Sequence, residues 1–98
     1  MKTCELICNL ESGKGITKKE LSKIINTITT FDYKVNLFIT EKSGDAKTHV
    51  KNIKKTDLVL SIGGDGTFNE IVTGNFMRQE KLVLSHIPVG TTNDIGAM

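Results

Sequence analysis

Leu58-Val59-Leu60-Ser61-Ile62-Gly63-Gly64-Asp65-Gly66-Thr67 is the stretch from which the fold is read. Leu58 to Ile62 is nearly unbroken in apolar character. That predicts a strand covered on both faces, as in a parallel sheet. Gly63-Gly64-Asp65-Gly66-Thr67 ends it, and glycine at Gly63, Gly64 and Gly66 lets the backbone bend tightly and approach a ligand. Helical periodicity follows, with Phe68, Ile71, Val72 and Phe76 expected on one side.

Working outward, the same alternation recurs. Cys4 to Cys8 reads as a first strand, broken by Ser12-Gly13-Lys14-Gly15. Leu21, Ile24, Ile25 and Ile28 recur at helical spacing, which predicts a helix from about Thr17 to Thr30. Tyr33, Val35, Leu37 and Ile39 alternate as a second strand. Ser43-Gly44-Asp45 can cap a helix with Ala46, Val50 and Ile53 inward. Leu82 to Ile87 reads as a fourth strand closed by Pro88, and Asn93 or Asp94 can cap a further helix. Strand and helix alternate throughout. The predicted fold class is therefore α/β: a Rossmann-like parallel sheet with helices on both faces and right-handed crossovers.

A length of 98 residues bounds the chain to one domain with a modest core. Its net charge of +2 argues against a nucleic-acid footprint and against a polybasic membrane patch. No apolar run approaches the ~20 residues of a transmembrane segment, and the opening residues do not read as a signal peptide. A cytoplasmic protein is expected. Cys4 and Cys8 would share a strand face ~13 Å apart, too far for a disulfide. They read as buried thiols in a reducing compartment. The chain stops at Met98, just after a loop that looks functional, so truncation is expected.

In open α/β sheets, ligands bind beyond the carboxyl ends of the strands. Three strand ends here carry loops rich in glycine or in Thr and Asn, and the fourth carries Thr40. In Gly63 to Glu70, turn and helix amides can hold phosphate oxygens, and a side chain at Gly64 or Gly66 would block that approach. Thr67 and Glu70 have capping-box spacing, so Glu70 either fixes the helix start or contacts a ligand directly. Asp65 is either a turn former or acts through magnesium or as a proton acceptor. Asn9-Leu10-Glu11-Ser12-Gly13-Lys14-Gly15 adds an amide, a hydroxyl and a cation, with Lys14 placed near the expected phosphates. Pro88-Val89-Gly90-Thr91-Thr92-Asn93-Asp94 adds hydroxyls and a cap. The P-loop and dinucleotide fingerprints both fail, for want of the required glycines and hydroxyl. His49 and His86 have no ligand-spaced partners and read as structural. Arg78 and Lys81 read as a solvated turn, and Lys51, Lys54 and Lys55 as a solvated helix end complementing the dipole.

Gly63-Gly64-Asp65-Gly66-Thr67 with Asn69-Glu70, followed by Pro88-Val89-Gly90-Thr91-Thr92-Asn93-Asp94, resembles the catalytic domain of diacylglycerol kinases. Sphingosine kinases and bacterial lipid kinases are relatives, and the soluble bacterial diacylglycerol kinases look most similar. NAD kinases and phosphofructokinases share the Gly-Gly-Asp-Gly core, but the later segment looks like the lipid-kinase version. The resemblance covers the whole chain and the N-terminal third of a typical member. It implies an N-terminal nucleotide-binding domain over residues 1–98, with the lipid-binding C-terminal domain absent. It further implies transfer of the ATP γ-phosphoryl to a lipid hydroxyl such as that of diacylglycerol, with Mg2+ neutralising the charge, in phospholipid biosynthesis.

The family's nucleotide contacts fall on Asn9, Leu10, Glu11, Ser12 and Gly13, on Thr40, on Gly64 through Asp65, Gly66, Thr67, Phe68 and Asn69 to Glu70, and on Thr91. Leu10 stands where the family has proline and cannot preset the turn. Asp65 matches the base of the sphingosine-kinase branch, whereas in the bacterial enzymes the base and the structural metal ligands lie in the C-terminal domain. The resemblance thus implies a chain that binds nucleotide weakly at best and transfers nothing alone. The whole enzyme would work at or near the membrane periphery. An NAD kinase-like enzyme and a non-catalytic nucleotide-binding regulatory module are the alternatives. A sheet face left open for the missing half is expected to self-associate, as a homodimer or by aggregation.

Overall fold

A computed structural model describes residues 1–9 and 17–88. The elements follow in the order β1 (Lys2–Cys8), α1 (Lys18–Thr30), β2 (Tyr33–Ile39), α2 (Asp45–Asn52), β3 (Leu58–Gly63), α3 (Asp65–Phe76) and β4 (Leu84–Pro88). The sheet is parallel, in the order β2-β1-β3-β4. The central strands are the most apolar because both their faces are covered. Leu6, Ile7, Cys8, Val59 and Ile62 are all fully buried.

The core has two halves, one on each face of the sheet. On one face, Cys4, Leu6, Cys8, Leu60 and Ile62 pack against Leu21 of α1, with Ile24, Ile25 and Ile28 beside it. On the other, Ile7 and Val59 meet Ala46 and Val50 of α2 and Ile71 of α3. The helix α1 starts at a capping box. Thr17 Oγ1 accepts from the Glu20 amide, and Glu20 accepts in return from the Thr17 amide at 3.1 Å. Cys4 and Cys8 are free and buried, as expected for small apolar side chains.

Three local expectations are corrected. Phe68, Val72 and Phe76 do not share the inward face of α3: Val72 and Phe76 are exposed, and the buried residues are Thr67, Ile71 and Gly74. Gly74 explains the rotation. A Cβ there would lie 2.6 Å from the Lys47 carbonyl oxygen, so α3 turns its smallest residue to the α2 backbone and brings the helices together. The fourth strand starts at Leu84, not Leu82, because the Asn75 side chain takes both the amide and the carbonyl of Leu82, at 2.8 and 3.1 Å. Arg78 is no solvated turn residue. Its guanidinium donates to the carbonyls of Val50 and Ile53 at the end of α2, and its Nε to Glu80 O at 2.8 Å. Carbonyls at the end of α2 are therefore held by an arginine from beyond α3.

Candidate functional site

The chain leaves β1 toward β2, then crosses back to β3 on the other side of β1. The carboxyl ends of β1 and β3 therefore bracket a topological switch point, where open α/β sheets form a crevice. A cleft of about 350 Å³ opens there. Asn9, just past β1, forms one part of its lining, and Thr40 to Ser43, just past β2, form another. Gly66, Thr67 and Glu70 of α3 and Ala46 of α2 complete it.

Each side chain is placed by its element. The Asn9 amide donates to Ile62 O at 3.1 Å, extending the β1–β3 ladder, and its Nδ2 donates to Thr67 Oγ1 at 3.2 Å. One residue thus joins the end of β1 to the start of α3. Thr40 prolongs the β1–β2 ladder, its amide donating to Cys8 O at 2.9 Å. The β2–α2 turn is folded back by Asp45, whose carboxylate accepts from the amides of Glu41 and Lys42 at 2.8 and 2.9 Å. Those amide bonds hold the Asp45 carboxyl below its usual range.

The start of α3 is the most distinctive feature. Gly64 is its N-cap, in extended conformation, and no side chain caps it. Phe68 N–H is the amide that first bonds back, to Gly64 O at 3.4 Å. The amides ahead of it have no partner within the helix. They carry the positive end of the helix dipole at the cleft, where Gly66 and Thr67 form the wall. A Cβ on Gly66 would meet nothing within 4 Å. The fold therefore does not demand glycine there, whereas close approach of a ligand would.

Of the residues expected at the site, Asn9, Thr40, Gly66, Thr67 and Glu70 come together on this cleft. Asp65 is the exposed first residue of α3, next to the cleft rather than in its wall. Asn69 faces a neighbouring groove between α2 and α3. Phe68 is turned away, its ring stacked on His86 at 4.6 Å between centroids. Leu10, Glu11, Ser12, Gly13, Lys14 and Thr91 lie outside the described residues. Pro88, the last described residue, is the register partner of Gly63 at the carboxyl ends of β4 and β3.

Glu70 does not fix the start of α3. There is no capping box at Thr67, which lies inside the helix, and the Glu70 carboxylate accepts the Gly44 amide with both oxygens at 3.1 Å. Glu41, Lys42, Ser43 and Ala46 join the lining, although the sequence marked only a helix cap at Ser43 and an inward position at Ala46. The turn after a parallel strand was the available signal. His49 and His86 are structural, as expected: His49 stacks on Phe38 and pairs with Glu5 at 2.9 Å, while His86 Nδ1 meets the buried Ser61 hydroxyl at 3.1 Å. Among the described residues, no three His, Cys, Asp or Glu are grouped to hold a metal ion.

A parallel α/β sheet with a glycine-started helix facing a switch-point cleft defines a Rossmann-like domain. The family model of the diacylglycerol kinase catalytic domain matches residues 3–98, and the chain belongs to that family. It is 38% identical over 96 residues to the diacylglycerol kinase of Bacillus subtilis (strain 168), covering 96% of this chain and 32% of that protein. It is 35% identical to the diacylglycerol kinase of Staphylococcus aureus (strain JH9), covering 97% of this chain and 31% of that one. A diacylglycerol kinase crystal structure from Bacillus anthracis str. Sterne superposes with a TM-score of 0.81 at 30% identity, over 95% of this chain and 35% of that one. The chain thus spans about a third of the length of the relatives it matches. Among the described residues, no helix is long and apolar enough to cross a membrane.

Proposed function

We propose that this chain is the nucleotide-binding part of a lipid kinase, and that its cleft holds ATP with the phosphates at the amino end of α3. The observation that carries this is the uncapped α3 start opening onto the switch-point cleft, with an empty direction above Gly66. Amides and dipole there favour an anion, and a glycine wall admits one at van der Waals distance. Asn9 and Thr67, locked together, would fix the floor under the phosphates.

Mg2+ would enter with the nucleotide, neutralising phosphate charge and held by phosphate oxygens and water. The described residues offer no cage for it, only Asp65 at the rim. This chain's own work is therefore to bind and orient the polyphosphate. The acceptor, a lipid hydroxyl such as that of diacylglycerol, is inferred from the relatives' names. Its site, and a base for its proton, belong to the length that the relatives carry in addition.

Titration of the 15N-labelled chain with magnesium-ATP tests the nucleotide reading. Saturable shifts are expected at Gly64, Gly66, Thr67 and Thr40. Shifts confined to residues away from the carboxyl edge of the sheet would refute it. For the acceptor, residues 1–98 joined to the remaining length of the Bacillus subtilis relative should phosphorylate diacylglycerol. A chimera that phosphorylates NAD instead would overturn the lipid assignment.

A further inference from the structure

We propose that Glu70 is a positioning residue: it closes the amino end of α2 from within, so that an incoming polyphosphate meets only the amino end of α3. The inference rests on the nucleotide reading above and assigns Glu70, which also lines the cleft, a role carried by its bond to Gly44.

Two helices begin at the cleft, α2 after Gly44 and α3 after Gly64, and neither N-cap residue supplies a side-chain bond. By backbone geometry alone, both ends would attract an anion. Their occupancy differs. At α2, both Glu70 carboxylate oxygens lie 3.1 Å from the Gly44 nitrogen, while Asp45 in the first turn takes the Glu41 and Lys42 amides. At α3, Asp65 is exposed and accepts no amide among the described residues. One end is filled by the protein's own carboxylate and the other is left open.

The same bond holds the cleft wall in place. Gly44 has φ +92°, a conformation that side-chain-bearing residues rarely adopt, and this turns its amide toward α3. Asp45 ties the Thr40–Ser43 wall to α2, and Glu70 ties the same turn to α3 across the cleft. Removing the Glu70 reach should therefore loosen a wall and expose a competing anion-attracting end.

Charge and reach separate this role from direct contact with a ligand or its cation. Glu70→Gln keeps the reach and an acceptor oxygen but loses the charge. Glu70→Asp keeps the charge but is one methylene too short. Without ligand, the Gly44 amide resonance and its protection from hydrogen exchange should survive in Glu70→Gln and be lost in Glu70→Asp. With magnesium-ATP, Glu70→Gln should weaken binding by less than about threefold and Glu70→Asp by about tenfold, the cost of one hydrogen bond to a charged group. Shifts in Glu70→Asp should also spread to Gly44 and Ala46. Glu70→Asp binding as tightly as the parent, or Glu70→Gln binding less tightly than Glu70→Asp, would overturn the positioning role alone. If the parent chain shows no saturable shift at Gly66 and Thr67, the nucleotide reading falls and this proposal falls with it.

Discussion

Gly66 and Thr67 are neighbours with opposite duties. Thr67 is buried and its hydroxyl accepts from Asn9, so its identity serves the fold and the site together. Gly66 has open space where a side chain would stand. Alanine is the better helix former by about 0.5–1 kcal/mol. Gly66→Ala should therefore leave the melting temperature unchanged or slightly higher while reducing magnesium-ATP affinity at least tenfold. Paired thermal melts and titrations would show it, and a loss of stability would mean the glycine serves the fold. The motif itself was legible at this scale, because glycines after a buried strand announce close approach. The partner of Glu70 was not. Thr67 and Glu70 have capping-box spacing, yet the helix begins at Asp65 with Gly64 as its N-cap, and the real capping box stands at Thr17 and Glu20. Spacing alone does not say which turn of a helix comes first.

At the scale of elements, α2 and α3 act as a pair on one face of the sheet. Their approach depends on Gly74, whose missing side chain leaves room for the Lys47 carbonyl. Gly74→Ala gains helix propensity but must push a backbone atom aside. It should destabilise the chain by about 1–3 kcal/mol, read from urea denaturation midpoints. The pair of alanine variants on a single helix should thus move in opposite directions. Arg78 makes the second contact of the pair, holding the last carbonyls of α2 from beyond α3. Arg78→Ala should cost about 1–2 kcal/mol, and Arg78→Lys should recover little, because an ammonium lacks the planar fork. Equal stability of Arg78→Lys and the parent chain would show that charge alone suffices. The sequence placed α3 correctly but misjudged its face. Apolar residues at Phe68, Val72 and Phe76 suggested one stripe, whereas close helix packing selected the ridge of Thr67, Ile71 and Gly74.

For the molecule as a whole, the central strand β1 carries a pH dependence. Burial raises both thiols, Cys4 and Cys8, from 9.0 to about 11. Between those values the unfolded chain gives up thiol protons that the folded chain retains. Stability from this source is complete below pH ~9 and falls as pH rises toward ~11. Urea midpoints should drop between pH 8 and pH 10.5, and drop less in a Cys4→Val, Cys8→Val double variant. An identical slope in both chains would remove the thiols as the cause. The parallel alternation of strand and helix, the buried strand before Gly63 and the family membership were all determined by sequence. They rest on local propensity, periodicity and motif, which act between residues close along the chain. Tertiary structure alone decided that Gly63 stands beside Pro88, that Asn9 reaches Thr67, that Arg78 closes α2 and that Glu70 takes the Gly44 amide. Those contacts join residues far apart in the chain, and only the packing of helices on a twisted sheet sets the distances at which their hydrogen bonds form.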